Sequence, residues 1–503
     1  MLSDTFTSLK HPIFLKVILP LVFLTMSYAW YGLVFNVKAE YLSTDILIYF
    51  LVCGFIIFVS YIRQQPHLAE PWGLVFKNKI AMSSAVILCF FVVVGLMDSI
   101  HFRTKVDSNQ TPISYSATMV SLLDVSLENI NNKTEKTYSA PFSAFSYAKE
   151  NFINENGVKY RAYPRLKYAG AHLNNPEMEI GSDLVGKFLF GLMLGILISL
   201  LVISLVIFIM SRITGSSFIK TFTKVFNGQF DLPWNVMLFT ASAIIISSVV
   251  LFYMSTYYHV MGTDKVGQDV FYLTLKSIRT GLVIGTLTTL IMLPFAIALG
   301  VLAGYYKGIV DDIIQYIYTT LNSIPGILLI VAVMLAIDVY IENHADLFET
   351  AIERADIKLL ALCAVLGITS WTGLCRLLRG EVFKLRELEY IQAAKALGVS
   401  NTKIIVSHIV PNIMHIVLIV VVLDFSGLVL AEAVLAYVGV GVDPSTISWG
   451  NMINSARLEL AREPVVWWSL ISAFSFMFAL VLAANLFSDA IRDAFDPRSQ
   501  GIK

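Results

Sequence analysis

Ten apolar stretches reach or approach the length of a membrane span: near residues 13–35, 45–62, 80–98, 185–210, 235–257, 282–304, 313–338, 358–378, 412–438 and 466–490. A helix needs about 20 apolar residues to cross the hydrocarbon, and backbone in lipid must satisfy its own hydrogen bonds. The fold class expected is therefore an all-α integral membrane protein of about ten transmembrane helices. Composition agrees, with 56% of the 503 residues hydrophobic and only 14% charged. The 36 basic and 36 acidic residues cancel, so no global charge argues for nucleic acid. The run at 13–35 follows Lys10, is too long for a signal-peptide core and lacks a small-residue cleavage site, so it is expected to stay as an anchor. Cys53, Cys89, Cys363 and Cys375 all fall in apolar runs without metal-like spacing; they read as packing residues, and no metal site is expected.

Basic residues in short connectors set the orientation. Arg63, Lys77 and Lys79 mark one inner loop, and Arg212, Lys220 and Lys224 a second. Arg376, Arg379, Lys384, Arg386 and Lys395 mark a third, with Arg492, Arg498 and Lys503 at the C-terminus. Both termini are then cytoplasmic. The polar stretch from about Ser99 to Asp183, rich in Asn, Ser, Tyr and Pro, falls outside as a small folded lobe. The expected organisation is accessory helices in 1–98, a periplasmic insert in 99–184, a fourth accessory helix and linker in 185–232, and a six-helix domain in 233–503. Ile180–Gly186 and Met261–Gly267 echo each other before long apolar helices, which suggests either a partial duplication or two similar helix-entry caps.

The segment from Glu389 to Pro411 lies between two spans on the inner side. It reads as a short helix, a stop and a second helix. Ala393, Ala394 and Leu397 share one small apolar face, while Lys384, Arg386, Glu387 and Lys395 keep other faces wet. Gly398 can take a left-handed conformation after the first helix, and Pro411 can open the next without an amide. Small side chains allow another protein to approach closely; an ordinary amphipathic loop would look much the same.

In order along the chain stand Gly262-Thr263-Asp264-Lys265-Val266-Gly267-Gln268-Asp269-Val270, Ser323-Ile324-Pro325, Glu389-Tyr390-Ile391-Gln392-Ala393-Ala394 with Gly398, Leu430-Ala431-Glu432-Ala433, Ser448-Trp449-Gly450, and Asp489 to Pro497. This series resembles the C-type permease subunit of dipeptide/oligopeptide ABC importers. The resemblance implies a type I importer core of six helices, here preceded by four accessory helices that ordinary members lack. It implies a multi-pass protein of the bacterial inner membrane whose coupling loop, near 384–411, meets separate ATPases through Glu389, Tyr390, Gln392, Ala393, Ala394, Gly398, His408 and Pro411. Gly262, Thr263, Asp264, Gly267 and Asp269 match the family's periplasmic motif. Implied partners are a second, B-type permease, two ABC ATPase subunits, a periplasmic solute-binding protein, a peptide substrate and membrane lipid, with no nucleic acid. ATP and Mg2+ would sit on the partner subunits, this chain binding no cofactor. Gln392 and Gln268 depart from the family's usual Glu and Arg, and an ion pair from position 392 to the ATPase is accordingly in doubt.

No nucleotide loop is expected here: Gly181–Phe188 fits the phosphate-loop spacing but puts Phe188 where the metal ligand should be Ser or Thr. Asp338, Asp424 and Glu432 fall within apolar spans, where a charge costs about 2.5 kcal/mol or more. Asp424 and Glu432 are candidates for the translocation path, or are paired and structural. All three together would suit a proton-driven secondary transporter, the main competing reading. Trp449, Trp467 and Trp468 fit an outer aromatic belt or a gate.

Overall fold

The computed structural model describes residues 37–495, apart from 64–65, 106–114, 117, 154–158, 345, 347 and 349. The expected span at 13–35 and the residues after 495 lie outside that set. The helices are α1 (Ser43–Ile62), α2 (Pro66–Lys77), α3 (Lys79–Asp98), α4 (Leu122–Ser126), α5 (Glu128–Asn131), α6 (Pro176–Thr214), α7 (Phe218–Phe226), α8 (Trp234–Ser255) and α9 (Val270–Tyr306). They continue with α10 (Ile309–Ser323), α11 (Gly326–Asn343), α12 (Ala351–Leu385), α13 (Glu389–Ala396), α14 (Asn401–Ile404), α15 (Val410–Val438), α16 (Trp449–Glu459) and α17 (Trp468–Phe495). Short strands β1 (Val37–Glu40), β2 (His101–Thr104) and β3 (Val120–Ser121) form one antiparallel sheet. Strands β4 (Glu150–Ile153) and β5 (Lys159–Ala162) form a separate antiparallel pair.

Among the described residues, eight helices are long and apolar enough to cross a membrane. Seven of the ten expected spans appear as single helices of that kind. The stretch at 45–62 is helix α1, whose apolar part, Ser43–Ile57, is shorter. The stretch at 313–338 is not one kinked helix. It breaks into α10 and α11 at Ile324, which is extended (φ −89°, ψ 130°). The ring of Pro325 disfavours helical backbone in the residue before it, and only α11 has span length. Helix α6 begins at Pro176, inside the stretch assigned to the outer insert.

Small residues let the longest helices touch. A Cβ on Gly304 of α9 would stand 2.6 Å from Val382 of α12, and one on Gly367 of α12 would stand 2.8 Å from Ile291 of α9. Without water to drive association in lipid, such close backbone packing is a principal attraction between helices. Gly195 of α6 meets the backbone of Ile246 in α8 in the same way.

The N-terminal helices are built into the rest. Phe91 of α3 packs in one buried cluster with Phe271 of α9, Trp449 of α16 and Trp468 of α17, and Leu123, Leu127 and Ile130 of the insert join it. Helix α1 is fastened by charge: Asp45 pairs with Arg279 of α9 at 2.7 Å and with His101 of β2 at 2.8 Å. Thr44 donates both its hydroxyl and, at 3.1 Å, its amide to Asp356 of α12. Cys363 and Cys375 are buried as expected of packing residues, whereas Cys53 is partly buried and Cys89 exposed.

The two echoing glycine segments fold differently. Residues 180–186 run through the interior of helix α6, while 261–267 form a tight turn with Gly262 and Gly267 at positive φ. Gly181–Phe188 is thus continuous helix, and no phosphate-cradling loop exists there.

Candidate functional site

The chain order places the expected motifs at the two ends of the bundle. One end carries the insert, residues 259–269 and α16; the other carries the turn after α9, the end of α12, and α13 and α14.

At the first end, Asp269 caps α9, its Oδ1 accepting the amide of Phe271 at 2.8 Å. An Asp just ahead of an apolar run is the usual signal for such a cap. Its other oxygen holds His259 Nδ1 at 2.6 Å, and His259 Nε2 lies 3.6 Å from Glu135 of the insert. Thr263 Oγ1 accepts the Ser139 amide at 2.7 Å and donates to the Thr137 carbonyl at 2.9 Å. The Thr263 carbonyl in turn takes Trp468 Nε1 at 2.9 Å. Asp264 closes its own turn, accepting the amides of Val266 and Gln268. Gly267 sits at φ +79°, and a Cβ there would be 1.9 Å from the Glu135 carbonyl. Gly262, Thr263, Gly267 and Asp269 thus seat the insert on the helix bundle. Glu135, Ser139 and His259, which complete the seat, carried no signal of their own in the sequence, and Trp468, read there as belt or gate, joins them.

Burial by itself would lower the pKa of His259, but the hydrogen bond to Asp269 and the charge of Glu135 outweigh it and raise the value from 6.5 to about 9. A group whose folded pKa is raised stabilises fully below its unfolded value and loses that contribution as pH climbs through the folded one. Thermal stability of the purified chain should therefore fall between pH 6.5 and about 9, by on the order of 3 kcal/mol. His259→Gln should flatten that slope, and an unchanged pH profile in the variant would refute the assignment.

At the other end, α13 stops in a two-bond cap. The Gly398 amide bonds the Lys395 carbonyl and the Val399 amide the Ala394 carbonyl, both at 3.1 Å, with Gly398 at φ +75°. Ile391 anchors the helix, 2% exposed in a cluster with Val382 and Leu378 of α12 and Ile404, while Ala394 and Val399 pack at its edge. Tyr390, Ala393 and Leu397 face outward, Leu397 at 84% exposure. The expected shared face of Ala393, Ala394 and Leu397 is thereby corrected: Ala394 turns partly inward with Ile391, which stands three residues before it on the same helix face.

Gln392 donates its amide to the Arg386 carbonyl at 2.9 Å, tying α13 back to the end of α12. A carboxylate could not donate there, so this residue's departure from the family pattern has a local use. Arg386 donates to the Tyr305 carbonyl at 2.6 Å, Lys307 pairs with Glu387 at 3.1 Å, and Arg379 holds Asp311 of α10 with two bonds of 2.5 and 2.8 Å. These contacts brace the hairpin against the turn after α9, and the sequence did not reveal them. Beyond a short π-helical turn, Ile405–Ile409, Pro411 opens α15 as expected. His408 lies half-buried beside the Tyr390 ring, with centroids 6.2 Å apart.

Of the acidic residues in spans, Asp338 pairs with Lys358 at 2.7 Å. Glu432 is 2% exposed and accepts the Ser448 hydroxyl at 2.8 Å; Ser448 in turn caps α16 through the Asn451 amide. Gly450 is required beside it, since a Cβ there would come within 2.4 Å of Glu432 Oε1. Asp424 is half-buried, with no hydrogen bond or ion pair among the described residues. A proton path through all three has no support in these pairings. Trp449 and Trp468 are each 1% exposed, their indole N–H groups bonded to carbonyls within the protein, so of the three tryptophans only Trp467 suits a lipid-interface belt.

The fold and these two ends define a class: a helical membrane subunit with a braced loop at one end and a seated lobe at the other. Residues 296–501 match the family of binding-protein-dependent transport system inner membrane components. The dipeptide transport system permease protein DppC of Alkalihalophilus pseudofirmus is 32% identical over 240 residues, 48% of this chain and 72% of its own length. The glutathione transport system permease protein GsiD of Pectobacterium atrosepticum is 31% identical over 240 residues, 48% of this chain and 73% of its own. The oligopeptide transport system permease protein OppC of Mycobacterium bovis is 29% identical over 245 residues, 49% of this chain and 78% of its own. The chain belongs to this family of ABC importer permeases; it is a multi-pass transport subunit rather than an enzyme.

Proposed function

We propose that this chain is the C-type subunit of an ATP-driven importer of di- and oligopeptides in the bacterial inner membrane, with both termini cytoplasmic. The α13–α14 hairpin carries the reading: it is anchored through Ile391, braced by Arg386 and Gln392, and presents Tyr390, Ala393 and Leu397 to solvent. A surface held rigidly and left apolar is what a second protein docks on. ATP and Mg2+ belong to two partner ATPases that push on this hairpin, and the bracing contacts carry the push to α9, α10 and α12. A second, B-type permease completes the path, with Asp424 facing it. Exposed apolar residues along α10 and α11, including Tyr316 at 75% and Leu328 at 62%, support such a partner. A binding protein delivers peptide at the end where the insert sits. The peptide transport systems named for the relatives support the substrate class.

The test is purification of the tagged chain from its host in mild detergent, with identification of co-eluting proteins and an ATPase assay. A second permease and nucleotide-binding subunits should co-elute, with ATPase activity raised by peptide-loaded binding protein. A chain that elutes alone and moves peptide on a proton gradient would refute the proposal.

A further inference from the structure

A cavity of about 910 Å³ lies between the N-terminal helices and the core, within the segments that cross the membrane. Phe91 and Val94 of α3, Leu194 of α6, Leu251 of α8, Phe476 of α17 and Leu127 of the insert line it. Four of the hydroxyls in its wall are spent locally. Ser126, Ser247, Thr256 and Ser475 donate to the carbonyls of Leu122, Ile244, Phe252 and Ile471 in their own helical turns. The wall is left as apolar as a lipid-facing surface.

Such a space stays neither empty nor wet. The space is a partly open groove with room for roughly thirty waters. Water needs two to four polar partners, which this wall does not offer. The occupant is apolar, and next to the lining residue Ile198 the flank of α6 carries exposed apolar residues such as Leu197. Two lysines stand near its insert end. Lys133 Nζ bonds the carbonyl of the wall residue Thr256 at 2.5 Å, and no carboxylate among the described residues lies within ion-pair distance of it. Lys187 stands 3.6 Å over the ring of the adjacent Tyr257. An apolar slot topped by lysines matches an acyl chain below a phosphate.

We propose that the cavity is a phospholipid site, with acyl chain wedged among α3, α6, α8, α9 and α17, and its phosphate held by Lys133. The bound lipid then forms part of the joint between the N-terminal helices and the permease core.

The full chain would be purified with its partners, exchanged through detergent, and analysed by native mass spectrometry. It would then be reloaded from vesicles of phosphatidylethanolamine and phosphatidylglycerol carrying a photoreactive acyl chain. Wild type should keep phospholipid through the exchange and crosslink at Leu194 or Phe476. Ala479→Phe, which fills the slot, should abolish both retention and crosslinking. Lys133→Gln, at the rim and clear of the packed wall, should cut retention roughly tenfold, the loss of one charge-assisted bond. It stays informative if the filled variant does not fold. Wild type that washes free of lipid while folded, equal retention in both variants, or crosslinking displaced by an apolar peptide would each overturn the proposal.

Discussion

Gly398→Pro should reduce peptide uptake to background while leaving the amount of chain in the membrane unchanged. The native φ of +75° lies outside what a proline ring permits, and the substitution also removes the amide that bonds the Lys395 carbonyl. Misplacing this cap costs roughly 3 kcal/mol or more. Helix α13 has eight residues and one deeply buried anchor, Ile391, so it cannot hold its direction against that cost. The damage stays local because the other seven of the eight described spans lie outside the hairpin. Gly398→Ala serves as the graded control: an L-residue in the left-handed region costs about 1–2 kcal/mol, and uptake should fall only in part. Ala394→Trp should match the proline, since its half-buried side chain packs with Val399 at the edge of the cluster around Val382. Uptake assays in a strain lacking the native gene, with immunoblots of the membrane fraction, decide the matter. Wild-type uptake in Gly398→Pro would remove the hairpin from any coupling role.

Gly267→Ala should detach the insert. The added Cβ would stand 1.9 Å from the Glu135 carbonyl, closer than any real contact, and φ is +79°. Backbone must shift, at a cost on the order of 3 kcal/mol from left-handed strain and overpacking together. The shift falls on the bond between the Glu135 amide and the Gly267 carbonyl, and on the approach of Glu135 to His259. Limited proteolysis should then cut within 99–175 at protease levels the wild type resists, while the helices stay protected. An unaltered cleavage pattern would show that the insert is held elsewhere.

The membrane-spanning fold was largely legible because its signals are local. Apolar runs of span length, Asp269 ahead of α9, Pro411 at the start of α15 and Gly398 after α13 each report on a few neighbouring residues. The same local rule explains one misreading: the apolar run at 313–338 hid the break at Ile324, which a stricter use of the proline at 325 would have exposed. The candidate site was legible in its backbone features and not in its partners. Gln392 looked like a lost charge until its amide was found on the Arg386 carbonyl, and Glu432, open in the sequence to a path or a structural reading, is held by Ser448 with Gly450 against it.

The amino-acid sequence by itself determined the helical membrane fold, the places where helices start and stop, and the order of motifs that marks the family. Hydrophobic length and capping chemistry act within a turn or two, so one strand of text carries them. Tertiary structure alone decided that the N-terminal helices are part of the core and that the insert sits on the 262–269 turn. Asp45 meets Arg279 across 234 positions and Ser139 meets Thr263 across 124. Contacts of that span are chosen by how packed helices bring surfaces together, and no local pattern in the chain encodes them.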